Sequence, residues 1–386
     1  MKNPRLVKVT ILFCSMMTVM AGATIAPSLP EMTKAFPDNP AAETLVKLVL
    51  TIPGLFIAIT SPLSGWFIDK FGRIKLLAFM LVLYAAAGSS GLYLNTLIEI
   101  IIGRAFLGLA VGGIMTTAVA LIGDYYEGEE RQTFLGVQAG IMALSGTIFI
   151  SFGGILADIS WRYPFAIYLL ALIAAPMVLL FLKEPAKQPD HEKSTLAADI
   201  KIPRIAWTIY IVSFLGMVTF YLMPVQIPFL MQEISNVGNT ATGLAISIVM
   251  LIGGIVSFQY PRLKRRFTHY QIYGITFLFM GFGYLLISTA NSYAMTFPGL
   301  FISGIGAGLL MPNSNLCLVS LASQQNRGKI LGLLTTFIFM GQFASPLFFQ
   351  PLVNFTSIRG AFLYFSIALI GVSIIVLIRN KRLVKA

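Results

Sequence analysis

The reactive side chains of this 386-residue sequence are few, and their types narrow what they can do. His191 and His269 are the two histidines, and Cys14 and Cys317 the two cysteines. None of the four falls in a metal-ligand or nucleophile–base spacing, and both cysteines lie within long apolar stretches, so no disulfide framework is implied. No glycine-rich loop ending in lysine is present to cradle a nucleotide phosphate. The sequence therefore points to no cofactor and to no enzyme. What remains is proton exchange and hydrogen bonding. The carboxylates Glu31, Glu99, Asp124 and Asp158 stand at the edges of long uncharged stretches, whereas Arg104 stands inside one. Glu31 follows Pro27 and Pro30, and Glu31 and Asp124 are the candidate protonation sites. A second set is neutral: Tyr221, Gln226, Asn313, Asn315 and Gln342 interrupt otherwise apolar runs, with Pro224, Pro228 and Pro312 beside them freeing backbone carbonyls. Such groups orient a ligand in an apolar cavity, or equally tie one helix to the next.

The elements that carry these residues follow from composition. Apolar side chains make up 57% of the chain and charged ones 11%, and the mean hydropathy is +0.83. A water-soluble domain of this length does not have that balance. Formal charge is missing between Lys8 and Glu31, Lys47 and Asp69, Lys75 and Glu99, and Arg131 and Asp158. Each interval exceeds the roughly 20 residues a helix needs to cross a bilayer. Eleven uncharged intervals of 19 residues or more occur, and the one from Phe267 to Asn326 holds two spans hinged near Asn291 and Ser292. Twelve spans are expected. They are helical, because runs such as residues 163–182 lack the alternation of a membrane-spanning strand.

The net charge of +12 is explained by where the bases fall. With the N-terminus placed inside and the sides alternating, Lys34, Lys47, Arg162 and Arg359 lie outside and Arg104 within a span; every other Lys and Arg lies inside. That asymmetry is the positive-inside pattern of an inner-membrane protein with both termini cytoplasmic. It leaves no basic surface for nucleic acid to explain. Lys2, Arg5 and Lys8 ahead of an apolar run ending at Ala21-Gly22-Ala23 imitate a cleavable signal. Cleavage would leave eleven spans and unbalance the repeat described next.

An offset of 196 residues maps Gly108 and Gly112 onto Gly304 and Gly308, Arg131 and Gly136 onto Arg327 and Gly332, and Lys70-Phe71 onto Arg266-Phe267. With one residue of drift, Arg162 and Phe165 map onto Arg359 and Phe362. The chain reads as two six-helix halves, residues 1–182 and 205–386, joined by a polar linker over 183–204 that carries Pro185, Pro189 and Pro203. Parallel repeats of this kind place a ligand site near the bilayer midplane, between the halves.

Between the second and third spans the sequence runs Gly65-Trp66-Phe67-Ile68-Asp69-Lys70-Phe71-Gly72-Arg73-Ile74-Lys75. This resembles the signature of the major facilitator superfamily: glycine, three residues, aspartate, a basic residue, one residue, glycine, then further bases. The resemblance implies that Gly65, Asp69, Lys70, Gly72 and Arg73 form a cytoplasmic latch between the halves. The second-half copy, residues 261–267, has Arg265 where Asp69 stands, so the latch is asymmetric. Arg104 followed by Gly108 and Gly112 is similar to a second pattern of the family, which implies a role for Arg104 in proton coupling or in holding an anionic group. A guanidinium within a span costs about 2.5–3.5 kcal/mol on insertion scales, so it needs a partner or a wet cavity. The alternative is that Arg104 snorkels to the outer surface. Asp124, Glu130-Arg131 and the stretch from Gly153 to Phe165 extend the likeness. The family's antiporter pattern has a glycine and a proline where this sequence has Phe149 and Ile150.

The expectation is an all-α integral membrane protein with the major facilitator fold, resident in a bacterial inner membrane and working as a monomer. It would move small amphipathic or lipophilic molecules by alternating access, with protons as the coupling ion. The competing expectations are a proton-coupled importer of a small metabolite and a non-transporting receptor that kept the fold.

Overall fold

The computed structural model describes residues 4–185, 202–323 and 326–383, and every element among them is helical. Twelve helical segments are long and apolar enough to cross a membrane. In the first half these are span 1 (Pro4–Lys34), span 2 (Ala42–Ile68), span 3 (Arg73–Leu92), span 4 (Leu97–Tyr125), span 5 (Gly128–Ile159) and span 6 (Tyr163–Phe181). The second half holds span 7 (Arg204–Ser235), span 8 (Asn239–Lys264), span 9 (His269–Ser288), span 10 (Tyr293–Leu321), span 11 (Arg327–Phe355) and span 12 (Ile358–Ile378). The expected count and the hinge at Asn291-Ser292 both hold. Of the linker expected over 183–204, residues 186–201 lie outside the described residues.

Local sequence explains where several spans begin and end. Thr96 caps span 4 and Thr268 caps span 9, each in a reciprocal box with Glu99 or Gln271 three positions on, which satisfies orphan N–H donors at the helix start. The helix that carries span 2 continues to Phe71, and Gly72 alone parts it from span 3; its φ of +81° suits glycine and little else. Within the spans, hydroxyls of Thr10, Ser15, Thr24 and Ser145 donate to backbone carbonyls four residues earlier, so they sit in apolar surroundings with no donor left over. Spans 5 and 7 have 32 residues each, about 48 Å at 1.5 Å per residue. That exceeds a hydrocarbon core of about 30 Å, so they run beyond it or tilt. Large apolar side chains such as Phe79, Leu179 and Ile367 cover the outside of the bundle, as expected of a surface facing lipid.

The 196-residue repeat reappears as repeated contacts. A Cβ built on Gly108 would lie 2.4 Å from the Pro53 carbonyl, and one on Gly304 would lie 3.1 Å from the Val249 carbonyl; the offset carries the first pair onto the second. Arg162 Nη2 donates to Asn95 Oδ1 at 3.2 Å and Arg359 Nη1 to Asn291 Oδ1 at 2.9 Å, again images of each other. Between the halves, span 2 packs on span 11 and span 5 on span 8. Twelve crossings bring Pro4 and Leu383, the two ends of the described chain, to one end of the bundle, called proximal below; the opposite end is distal.

Candidate functional site

Where the halves meet at mid-height, eight spans enclose a cavity of about 230 Å3. Met115, Met142, Met217, Met250 and Met311 reach it from spans 4, 5, 7, 8 and 10. Phe220, Tyr221 and Phe339 supply aromatic wall, and Thr18 and Gln342 polar edges. Gly22 is where span 1 gives way to span 7: a Cβ there would lie 2.9 Å from Tyr221 Oη. A thioether is flexible and polarizable, so a wall built on five of them adapts to apolar ligands of different shape. Hydrogen bonding is left to one hydroxyl, one phenol and one amide.

The neutral residues picked out by sequence divide into three groups. Tyr221 and Gln342 line the cavity. Gln226, one turn beyond Tyr221 on span 7, is fully buried with neither amide atom partnered. Asn313 does not line the cavity: its side chain is held by Tyr260 at 3.0 Å, by the His269 ring at 2.9 Å and by the His269 carbonyl at 3.0 Å, all within the second half. Asn315 is exposed and donates to the Met311 carbonyl. Periodicity alone did not show which face of span 10 these two asparagines occupy.

Arg104 does not snorkel. It is wholly buried, donating from Nε to the Val49 carbonyl at 3.0 Å and from Nη2 to the Ala21 carbonyl at 2.8 Å. Its guanidinium lies over the Tyr168 ring at 5.0 Å, and Nη1 has no partner. It thereby ties spans 1, 2 and 4 together behind the cavity wall, since Ala21 is part of that wall.

Neither Glu31 nor Asp124 lines the cavity. Glu31 is at the distal end, bonded to Lys34 at 2.8 Å and, across the halves, to Gln232 at 2.8 Å. Asp124 is at the proximal end, in an ion pair with Arg73. Lys70 lies over the Trp66 ring at 4.8 Å, and a Cβ on Gly65 would meet nothing within 4 Å, so no close helix approach occurs there. The side chain of Asp69 lies outside the described residues. Glu184 accepts from the backbone N–H groups of Arg73 at 2.6 Å and Ile74 at 2.9 Å. It thereby caps the exposed start of span 3.

Polar contacts across the halves concentrate at the distal end. Lys47, wholly buried on span 2, donates to Glu43 at 2.6 Å and to Gln350 of span 11 at 2.6 Å, and lies over the Phe229 ring at 4.4 Å. Gln350 donates in turn to Glu43 at 3.1 Å. On the other flank, Asp158 of span 5 accepts from the backbone N–H of Asn239 at 2.6 Å, from that of Thr240 at 3.1 Å and from the Thr240 hydroxyl. It caps span 8 from the opposite half, where the helix dipole favours a carboxylate. In all three distal contacts the charge belongs to the first half and the C-terminal partner is neutral.

A family model described as Major Facilitator Superfamily matches residues 11–346 and, in a second match, 209–385. The chain belongs to the major facilitator superfamily. It is similar to Multidrug resistance protein 1 of Bacillus subtilis, 24% identical over 295 residues and 75% of each chain. It is also similar to the quinolone resistance protein NorA of Staphylococcus aureus, 22% identical over 332 residues and 84% of each chain. An uncharacterized transporter of Bacillus subtilis, YwfA, is 29% identical over 241 residues, a match that spans 58% of this chain and 56% of that relative. In fold it follows a bacterial Spinster homologue captured inward-facing and occupied, with a TM-score of 0.79, 13% identity and 99% and 98% coverage. The D-xylose–proton symporter follows at a TM-score of 0.76, 14% identity and 96% coverage of each chain.

As a major facilitator transporter, the chain is a membrane bundle, and a cavity lies between its halves. Several residues at its centre and gate were not singled out from sequence. The cavity methionines read as ordinary span residues, because nothing local marks which face of a span points inward. Glu43 and Gln350 had a signal that went unused: the 196-residue offset carries Glu43 onto Asn239, Gly154 onto Gln350 and Asp158 onto Asn354. Those residues form the two flanks of the distal closure, and Gln350 also donates to Asn354 at 2.9 Å.

Proposed function

We propose that this chain exports small amphipathic or lipophilic compounds from a bacterial cytoplasm by alternating access, coupled to proton entry, as a monomer in the inner membrane with both termini cytoplasmic. The observation that carries this reading is the cavity: apolar, thioether-rich, shared by both halves, and with few directed hydrogen bonds. Sugars and multiply charged metabolites need many such bonds to replace their hydration, and lipophilic cargo needs few. The likeness to two bacterial drug-resistance proteins supports export over import.

With the termini inside, the distal closure is the outer gate. Rocking of the halves parts Glu31, Glu43–Lys47 and Asp158 from their neutral partners and brings the latch motif into contact on the inner side. Glu31 and Asp124 are the carboxylates assigned to the proton. Each changes surroundings as an end opens or closes, and Arg104 supplies the fixed charge between them.

The test is flux in proteoliposomes with an imposed pH gradient, following a lipophilic substrate and internal pH together. Substrate movement opposed to proton movement is the expected result. Substrate movement in the same direction as protons would make the protein an importer. Binding without movement of either would make it a receptor.

A further inference from the structure

We infer that the central cavity selects lipophilic anions over lipophilic cations, and that the buried charge of Arg104 makes the selection. The inference rests on the cavity being the substrate site, as proposed above, and adds the sign of the cargo.

The lining contains no Asp, Glu, Lys or Arg. Any formal charge acting on a ligand there comes from behind the wall, and Arg104 stands one residue behind it through its bond to the Ala21 carbonyl. Both of its acceptors are neutral carbonyls, the Tyr168 ring is neutral, and Nη1 is unpartnered. Among the described residues no carboxylate pairs with it. Lys47, the other wholly buried base, differs in this respect, with Glu43 at 2.6 Å. The other acids described above are engaged at the ends of the bundle: Glu31 with Lys34, Asp158 on the start of span 8, and Asp124 with Arg73. The middle of the bundle therefore holds one positive charge without a counter-ion.

Low-dielectric walls focus the field of such a charge into the cavity they enclose. A cation entering would leave its hydration and meet repulsion, with no carboxylate to compensate. An anion would meet attraction, and it would find donors in the Gln342 amide and the Tyr221 hydroxyl. The methionines and the rings of Phe220 and Phe339 would hold its apolar body in either case. Shape thus admits many compounds, and charge sorts them.

Tetraphenylborate and tetraphenylphosphonium have one shape and opposite charge, so they isolate the electrostatic part. Binding to the full chain in lipid nanodiscs is measured by equilibrium dialysis, with Gly22→Phe, whose ring fills the cavity, as background. The borate is expected to bind about tenfold tighter or more, the ratio that about 1.4 kcal/mol of differential field produces. Arg104→Gln is expected to abolish the preference. Gln342→Glu, which places a carboxylate on the cavity wall and leaves Arg104 in place, is expected to reverse it, and this keeps the test decisive if Arg104→Gln does not fold. Equal or tighter binding of the phosphonium by the native chain overturns the charge selection and leaves the lipophilic cavity standing. Binding of neither ion above background overturns both.

Discussion

Lys47 and Gln350, 303 positions apart in sequence, meet at 2.6 Å across the two halves of the bundle. The ammonium is wholly buried, so the amide of the second half completes its solvation alongside Glu43. Removing that amide leaves a buried charge short of an acceptor, at a cost of about 1–3 kcal/mol. Gln350→Leu is therefore expected to shift the population toward the distally open state. Spin labels on the exposed residues Asp38 and Ser357 would report a longer distance in a larger fraction of molecules. An unchanged distribution would remove this contact from the gate.

On the other flank, Asp158→Ala strips span 8 of its cap, and Asp158→Asn keeps an acceptor without the charge. Losses of about 0.5–2 kcal/mol are typical for such caps, and the charge contributes a further few tenths up to about 1 kcal/mol. The same label pair should show a graded response, with Ala opening the gate more than Asn. Equal effects of the two would assign the contact to packing instead of capping.

Gly22 and Tyr221 make the cavity sensitive to a single methyl group. A Cβ at residue 22 falls 2.9 Å from the phenol oxygen, and the end of a tyrosine side chain can move aside. Gly22→Ala is expected to fold normally but to weaken substrate binding several-fold by pushing Tyr221 into the cavity. Tyr221→Phe in the same chain removes the clashing oxygen and should restore much of the affinity. Binding titrations of the single and double variants decide this; an additive double variant would refute the coupling.

At the proximal end, Asp124→Ala leaves the half-buried Arg73 guanidinium without its carboxylate. The expected loss is about 1 kcal/mol, because the pair is partly solvated. The exchange Arg73→Asp with Asp124→Arg should recover more transport than either single change. Asp69→Asn is expected to slow flux while leaving the amount of inserted protein unchanged. Normal flux in that variant would remove the latch role.

The bundle was legible in the sequence because a membrane span announces itself through uncharged length, and a turn such as Asn291-Ser292 through its interruption. The turn at Gly72 was legible through the family signature, and its backbone is one that few residues share. The cavity was only partly legible. Tyr221 and Gln342 carry polarity that marks them, whereas Met115 or Met250 looks like any lipid-facing side chain until the helix rotation is known. Asn313 shows the reverse error, since a buried amide is as well used between helices as toward a ligand. Arg104 was seen to need a partner, and its partners are backbone carbonyls of Val49 and Ala21, which no side-chain pattern reveals.

The 196-residue offset relates the two flanks of the distal closure, yet the acid stands on the first half in both. Two copies of the first half, joined in the same manner, would set Glu43 against Gly154 and Asp158 against a second Glu43, acid facing acid. Two copies of the second half would offer only Asn239 to Gln350 and Asn354, with no charge at all. At the distal end the two halves are therefore complementary, and neither carries both sides of the contact. Expressed as separate fragments, they should assemble into a working pair only when both are present, and never as a dimer of one kind.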